Sequence, residues 1–329
     1  MANGRAFEDK TQEEQISLLE ALGRVALTDF GVQPTSIEPL VHFENTTFKV
    51  ESAQGTFNLR ISRPGQQTDA TIQSEIDFLR ALKSEGFRVP DPYQNRVVKA
   101  TSPGVPEARN VVLFGWMNGE FLRDRLTPAE APLIGKAMAE LHDFTLRWQP
   151  PAGFVRHQLH QWTFGPPEGH FISGPVEGLP EADRELVNQI VVETCERVPT
   201  LTKDSETYGL IHADLHVGNL LIEDGQLNII DFDDTGYAFL HYDFAAALAF
   251  HLHHPEFVEI RNGMLEGYES VRSLPPGTHE LLTPFIRQRL GGVSEWILSR
   301  TDNPKLREIG PGLVHEFCEG MRRLATLGN

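Results

Sequence analysis

Cysteine is scarce in this chain, which contains only Cys195 and Cys318 among 329 residues. The two are far apart in the sequence and do not form a Cys-x-x-Cys pair, so neither a dense disulfide framework nor a thioredoxin-like redox motif is indicated. We expect both side chains to be free thiols in a reducing compartment.

Long apolar runs and basic residues are also scarce. The longest strongly apolar stretch, 244–252, is far shorter than a membrane-spanning helix, and residues 1–10 lack the apolar core of a signal peptide. The 29 Lys and Arg residues face 46 Asp and Glu residues, a net charge of −17. Nucleic-acid binding needs a basic face. We therefore expect a cytoplasmic protein without nucleic-acid or membrane partners. The negative charge suits a cationic small substrate and equally suits simple solubility.

The most informative stretch is His212-Ala-Asp214-Leu-His216-Val-Gly-Asn219, which leads into two apolar runs at 220–222 and 227–230. The Asp-Gly step between the runs is typical of a β-hairpin, because glycine supplies the positive φ that the turn needs. A hairpin would bring Asn219 and Asp231 to the same end of the ribbon, with Asp214 in the preceding loop. We therefore predict that two carboxylates and one amide oxygen converge.

This set of side chains suits phosphoryl transfer. Asn219 and Asp231 offer hard oxygen ligands for Mg²⁺, which usually takes one or two carboxylates together with substrate phosphates. Asp214 is left to receive the proton of a hydroxyl, while His212 would support the loop. A base Asp, a metal-binding Asn and a metal-binding Asp that opens an Asp-Phe-x motif are the parts of a kinase site. The alternative is a polar turn in which Asp214 and Asn219 are capping residues.

The motif at 212–219, together with Asp231-Phe-Asp233, resembles the catalytic core of the phosphotransferase enzyme family. That family includes aminoglycoside phosphotransferases, choline kinases, type II homoserine kinases and related bacterial stress-response kinases. The resemblance is tightest over 208–243 and looser over most of the chain. It implies an α+β, bilobal protein-kinase-like fold, with an antiparallel-sheet N-lobe (1–115) and a mainly helical C-lobe (116–329). It also implies ATP and Mg²⁺, but no particular substrate.

Arg60 and Glu75 form a further candidate pair. Strand alternation over 57–61 places Arg60 on the face opposite the apolar residues, and Glu75 lies on the apolar stripe of a helical segment at 71–83. A buried carboxylate needs a partner. We predict that the two pair as the strand cation and helix Glu of kinases do, with Arg in place of Lys. The alternative is two separate surface charges.

Two segments are candidates for further nucleotide contacts. By the resemblance, the turn at 44–46 covers the ATP phosphates. It lacks the Gly-x-Gly-x-x-Gly pattern, so Asn45 and the backbone would have to serve, and an ordinary polar hairpin turn fits as well. The segment 113–119 comes after a series of short predicted strands and before a helical region, where a hinge between lobes belongs. Trp116 would line the adenine slot there or simply pack in the core.

The acceptor side is less defined. Thr127 is placed to cap a helix that ends near Arg147. Segment 149–180 is long, irregular and aromatic, which predicts one wall of a substrate cleft. Its histidines, His157, His160 and His170, could suggest a metal site, but they match no metal-binding pattern. Asp243 matches a family Asp that we expect to support the catalytic loop. Asp233 and Asp234 would contact a second metal or a substrate ammonium, or form a solvated turn.

These observations predict an ATP-dependent kinase that transfers the γ-phosphate to a hydroxyl of a small molecule, such as an amino alcohol, an amino acid or an aminoglycoside-like amine. One alternative is a Ser/Thr protein kinase of the bacterial stress-response type, against which no Ala-Pro-Glu follows Asp231. The other is a nucleotide-binding pseudokinase scaffold, disfavoured because Asp214, Asn219 and Asp231 are all present. The sequence does not determine the acceptor or the oligomeric state.

Overall fold

The computed structural model describes residues 6–159, 171–300 and 303–324, apart from the side chains of Asp124 and Pro304. The chain divides into two compact units. Unit 1 comprises the chain to Gly119 with Gln149–Val155 and Asn228–Asp233, and unit 2 comprises Glu120–Trp148, Arg156–Leu227 and the chain from Asp234. Unit 1 thus includes two short segments from beyond the predicted boundary at 115, and that division into lobes stays a prediction.

Unit 1 combines an antiparallel sheet with two helices. The strands are β1 (Pro34–His42), β2 (Thr46–Ser52), β3 (Gly55–Ile61), β4 (Val98–Ala100) and β5 (Arg109–Gly115), in the order β1-β2-β3-β5-β4. The helices are α1 (Gln12–Asp29) and α2 (Asp69–Ser84). Helix α1 begins at a capping box in which the Thr11 side chain accepts the Glu14 N–H and Glu14 accepts the Thr11 N–H. The core lies between α1 and the sheet, among Leu22, Leu27, Phe48, Leu59 and Leu113.

Unit 2 is mainly helical. Its described helices are α3 (Ala131–Arg147), α4 (Glu181–Arg197), α5 (His241–Leu248), α6 (Phe257–Glu269), α7 (Thr278–Ser299) and α8 (Pro304–Leu324). The remaining strands are β6 (Glu120–Phe121), β7 (Tyr208–Ile211), β8 (Leu220–Glu223), β9 (Gln226–Ile229) and β10 (Gly236–Phe239). Strand β10 pairs with β7, and β6, β8 and β9 form a second small sheet. Within the described residues, no helix combines the length and apolarity needed to cross a membrane.

Local turn chemistry explains the β8–β9 hairpin. Asp224 has a φ of 52° and Gly225 a φ of 73°, the pair of positive values that a two-residue type I′ turn requires. The hairpin predicted from the Asp-Gly step is therefore present. The prediction for Thr127 is wrong in detail: α3 begins at Ala131 with Glu130 as its N-cap. Thr127 instead donates from its backbone N–H to the Glu130 carboxylate and closes a preceding turn.

Candidate active site

Helix α2 holds Arg60 of β3 in place. Arg60 donates from Nη1 to Glu75 Oε1 at 2.8 Å and from Nη2 to Glu75 Oε2 at 2.5 Å. Both residues are buried, with exposures of 5% and 1%. The predicted ion pair is therefore present, and the alternative of two surface charges is wrong. Its proposed role at the ATP phosphates stays a prediction.

The charge on Arg60 is strongly stabilised. Burial alone would lower the pKa of the guanidinium, but attraction and hydrogen bonds from Glu75, together with attraction to Asp233 and Asp231, raise it above its usual range. The buried Nε has no hydrogen-bond partner among the described residues. Arg60 is thus a permanent cation with one buried donor unused, which suits an anionic ligand.

The same helix anchors the Asp-Phe-Asp motif. Phe232 is 1% exposed and packs edge-on against Phe78 of α2 with ring centroids 6.0 Å apart. Asp231 has a φ of 66°, a left-handed conformation that Asp tolerates better than most residues, and it is exposed. The buried Phe232 therefore fixes a turn that leaves the neighbouring carboxylate at the surface of unit 1.

The turn between β1 and β2 contacts this motif. Asn45 donates from Nδ2 to Asp233 Oδ2 at 2.6 Å, and Gln67 donates from Nε2 to the Asp233 carbonyl at 2.8 Å. Asp233 thus fixes the turn that the resemblance assigns to the phosphates, so a simple solvated turn does not describe it. Whether Asn45 also contacts a nucleotide stays a prediction.

In unit 2, Asp243 of α5 organises the loop between β7 and β8. Its carboxylate accepts the His212 N–H at 3.1 Å and the Ala213 N–H at 2.7 Å. Ala213 has a φ of 72°, where an L-residue is strained. His142 and Asp243 are both fully buried and hydrogen-bond to each other at 3.1 Å. As expected, Asp243 stabilises the loop through its backbone.

Asp214 lies at the centre of this loop. Its backbone N–H donates to His212 Nδ1 at 3.2 Å, so the buried His212 supports the loop conformation. The Asn219 amide donates from Nδ2 to both the Asp214 carbonyl and Oδ2, each at 3.0 Å. Because the amide nitrogen faces Asp214, the amide oxygen of Asn219 is turned away from it and can serve as a ligand for a hard cation.

The tautomer of His216 follows from its contacts. Its Nδ1 accepts the Gly218 N–H at 3.0 Å, so the ring proton of a neutral His216 is on Nε2. That Nε2 lies 3.4 Å from Asp214 Oδ2. The Oδ2 atom of Asp214 is therefore engaged by two donors from its own loop, Asn219 and His216.

The structure adds Arg289, a residue that the sequence analysis did not select. From α7 its Nη2 donates to Asp214 Oδ1. Burial alone would raise the pKa of Asp214, but the Arg289 guanidinium, with smaller contributions from His216 and His212, holds it well below its usual range. Arg289 is three and seven positions beyond the buried Ile286 and Leu282, so helical periodicity could have identified it as a charge on an apolar stripe, as it did Glu75.

The residues present fit a nucleotide and a divalent cation. Asn219 offers an amide oxygen, Asp231 an exposed carboxylate and Arg60 a buried cation, although Asn219 belongs to unit 2 and the other two to unit 1. Across the described ranges, no three or more His, Cys, Asp or Glu side chains form a ready-made metal site. A cation that relies on substrate phosphates does not need such a cluster. The convergence of Asp214, Asn219 and Asp231 stays a prediction.

Two other predicted features have different outcomes. Trp116 is half-buried, and Lys49 Nζ lies 5.4 Å from its ring centroid; its contact with adenine stays a prediction. Much of the predicted aromatic wall, including His160 and His170, lies outside the described residues. His157 lies within them, and its Nε2 donates to the Asp234 carbonyl at 3.3 Å.

Comparisons with known proteins bear on the family and the fold. Residues 36–281 match the model of the phosphotransferase enzyme family. The chain belongs to this family. The microcompartment-associated aminopropanol kinase is similar in structure, with a TM-score of 0.78 and 29% identity over 92% of this chain and 97% of that one. The amicoumacin kinase hAmiN, solved with AMP-PNP, Ca²⁺ and Ami, has a TM-score of 0.75 and 19% identity over 97% of both chains.

One protein is similar to this chain in sequence. An uncharacterised protein of Deinococcus radiodurans is 26% identical over 233 residues, which are 68% of this chain and 65% of that protein. The chain therefore spans slightly less than two thirds of this relative. Family membership confirms the predicted phosphotransferase class, and the structural matches confirm the α+β, protein-kinase-like fold.

Proposed function

We propose that the protein is an ATP-dependent kinase that phosphorylates a hydroxyl group of a small molecule. The observation that carries the proposal is the catalytic loop itself. Asp214 is held there as an ionised carboxylate, and the Asn219 amide is turned so that its oxygen is directed away from Asp214. A loop with an anionic base and an amide ligand five residues later matches the requirements of phosphoryl transfer.

Each residue then has a defined task. Asp214 orients the acceptor hydroxyl and receives its proton as the hydroxyl oxygen forms a bond to the γ-phosphorus and the bond to the ADP oxygen breaks. Arg60, held by Glu75, binds the phosphates. Asn219 and Asp231 would hold Mg²⁺, which neutralises developing phosphate charge when bound. Most of the rate enhancement would come from positioning and electrostatics.

The relatives support a small acceptor. One is an aminopropanol kinase and another an amicoumacin kinase, the latter solved with a nucleotide analogue and a divalent cation. Both names describe kinases that act on small molecules rather than on proteins. Neither relative lends support to the protein-kinase alternative. The pseudokinase alternative is disfavoured by the intact loop around Asp214 and by the buried Arg60–Glu75 pair.

The test is an ADP-release assay with Asp214→Asn. We expect a loss of turnover on the order of 10²–10⁴-fold with retained binding of MgATP, because the base is removed and the nucleotide ligands are kept. Asp224→Asn makes the same chemical change in the β8–β9 turn, where Asn tolerates the positive φ, and should leave turnover unchanged. Unchanged turnover in Asp214→Asn would show that Asp214 is not the base.

A further inference from the structure

Arg289 occupies the oxygen of Asp214 that the reaction needs. The side chains of Arg289 and Asp214 are 14% and 18% exposed, so solvent screens the contact little. Asp214 Oδ2 is already engaged by Asn219 and lies near His216 Nε2. The oxygen left for an acceptor hydroxyl is therefore Oδ1, to which Arg289 donates. An incoming hydroxyl must share this oxygen with Arg289 or displace the arginine.

The geometry of the guanidinium indicates what can replace this contact. In arginine, the N–H of Nε and one N–H of Nη2 point the same way and form a fork that matches a carboxylate. In Arg289, the Nη2 side of this fork donates to Asp214, and Nε has no hydrogen-bond partner within the described parts of the chain. An acceptor carboxylate could occupy the fork while its hydroxyl takes Oδ1 of Asp214.

An unpartnered Nε alone would not identify a site. Arg287 on the same helix also has an Nε without a described partner, and its Nη2 lies 3.1 Å from Glu193. Arg289 differs because its partner is the proposed catalytic base, which must exchange partners during turnover. A buried cation that loses its carboxylate needs another anion. The acceptor binds at the step in which Asp214 exchanges Arg289 for the acceptor hydroxyl, so the acceptor can supply this anion.

The charges near Arg289 restrict that anion. The guanidinium is attracted to the carboxylates of Asp214 and Asp234 and shares a side-chain hydrogen bond with Tyr242. These carboxylates would repel a doubly charged anion more strongly than a singly charged one. A singly charged carboxylate therefore fits best beside the guanidinium. The Phe250 ring, whose centroid lies 5.8 Å from the Arg289 guanidinium carbon, supplies an apolar surface for the carbon skeleton.

We propose that Arg289 is a specificity-determining residue that binds a carboxylate of the acceptor, so that the preferred substrates are hydroxy acids or hydroxy amino acids whose hydroxyl lies a few bonds from the carboxylate. This inference rests on the proposed kinase function. An amino group is compatible with it where that group points away from Arg289.

The experiment compares acceptors that differ only by a carboxylate: ethanolamine with serine, isopropanolamine with threonine, and propanolamine with homoserine. The wild-type protein should show a kcat/KM roughly tenfold or more higher for the preferred carboxylate-bearing acceptor than for its matched amino alcohol, as a charged hydrogen-bonded pair allows. In Arg289→Gln this preference should fall to within a few-fold, mainly through a higher KM for the acid. Arg289→Lys should restore part of it, because it restores the charge without the fork.

The control is Arg287→Gln, which removes an arginine with an acidic partner from the same helix and should retain the preference. Binding of MgATP and the thermal unfolding midpoint establish that each variant is folded. If Arg289→Gln does not fold, the inference is tested by the kcat/KM values of the wild-type protein for the matched acceptors. Turnover of amino alcohols equal to or better than that of the matched acids contradicts this inference and leaves the kinase function intact. Absence of turnover with every acceptor contradicts both.

Discussion

Replacing Glu75 with glutamine tests the buried pair of unit 1. The change keeps the shape of the side chain and one acceptor oxygen, but it removes the charge that neutralises Arg60. Breaking a buried ion pair by removing one partner costs about 3–5 kcal/mol. The remaining amide oxygen retains a hydrogen bond worth about 1 kcal/mol. Asp233 and Asp231 also attract Arg60. We therefore expect Glu75→Gln to lower the free energy of unfolding by about 2–4 kcal/mol.

Urea denaturation followed by circular dichroism measures this loss, provided that the slope m is unchanged. The matched control is Glu20→Gln on α1, where the carboxylate pairs with Arg24 at 2.7 Å and both side chains are partly exposed, at 31% and 53%. Such i,i+4 surface pairs contribute about 0.3–0.5 kcal/mol. If Glu75→Gln costs no more than Glu20→Gln, the buried pair of Arg60 and Glu75 does not stabilise unit 1 more than a surface pair does.

A double variant separates stability from nucleotide binding. In Arg60→Leu/Glu75→Leu, both charges are replaced by apolar groups, and most of the stability lost in Glu75→Gln should return. Binding of MgATP should still be weaker than in the wild-type protein by roughly tenfold or more, because the cation proposed to hold the phosphates is gone. Wild-type affinity in the double variant would show that Arg60 has no part in nucleotide binding.

Two further predictions concern unit 2. Burial lowers the pKa of His241 from 6.5 to about 4, so the unfolded chain binds this proton more readily than the folded protein does. The resulting stability is complete above pH 6.5 and is lost as the pH falls towards 4. Between pH 6.5 and 4, the free energy of unfolding, measured by urea denaturation, should therefore fall by roughly 3 kcal/mol less in His241→Gln than in the wild-type protein. Equal decreases in the two proteins would show that His241 is not the group responsible. A Cβ at Gly135 of α3 would lie 1.8 Å from the Met264 carbonyl oxygen of α6, whereas one at Gly312 of α8 would meet no atom of the described residues within 4 Å. Gly135→Ala should consequently destabilise by roughly 2 kcal/mol or more, and Gly312→Ala should stabilise by about 0.5–1 kcal/mol, both measured as shifts of the urea midpoint.

The elements that sequence predicts well are those fixed by local chemistry. The helical segment predicted at 71–83 lies within α2, and the Asp-Gly step correctly predicts the β8–β9 turn. Periodicity and positive φ act within a few residues, so they leave a readable pattern. Thr127 is not the cap, because its side chain accepts the Ala129 N–H within a turn that precedes the helix, and Glu130 occupies the N-cap position. A one-dimensional pattern does not show at which of two nearby polar residues a helix begins.

In the candidate site, too, features fixed by local chemistry are predictable and contacts between distant residues are not. The Arg60–Glu75 pair is predictable because a carboxylate on an apolar stripe needs a partner and strand alternation places the Arg60 cation opposite the apolar residues of β3. The contact between Asp214 and Arg289 joins residues 75 positions apart, and no local rule links them. Arg289 lies three positions beyond the buried Ile286 of α7, on the apolar stripe of that helix. Helical periodicity therefore identifies the buried stripe of that helix, but it does not identify Asp214 as the carboxylate that Arg289 contacts.

Arg60 and Arg289 show how one type of side chain can serve opposite purposes. Arg60 binds Glu75 through both terminal nitrogens, and Glu75 is 1% exposed and has no proposed role in chemistry, so that pair can persist throughout turnover. The Arg289 bond to Asp214 runs through one terminal nitrogen to a carboxylate that must receive a proton. A permanent pair contributes to stability and positioning, whereas an exchangeable pair contributes to selectivity, because its energy is recovered only when the acceptor supplies a replacement. Loss of Glu75 should therefore reduce stability first, and loss of Arg289 should first change which acceptors are used.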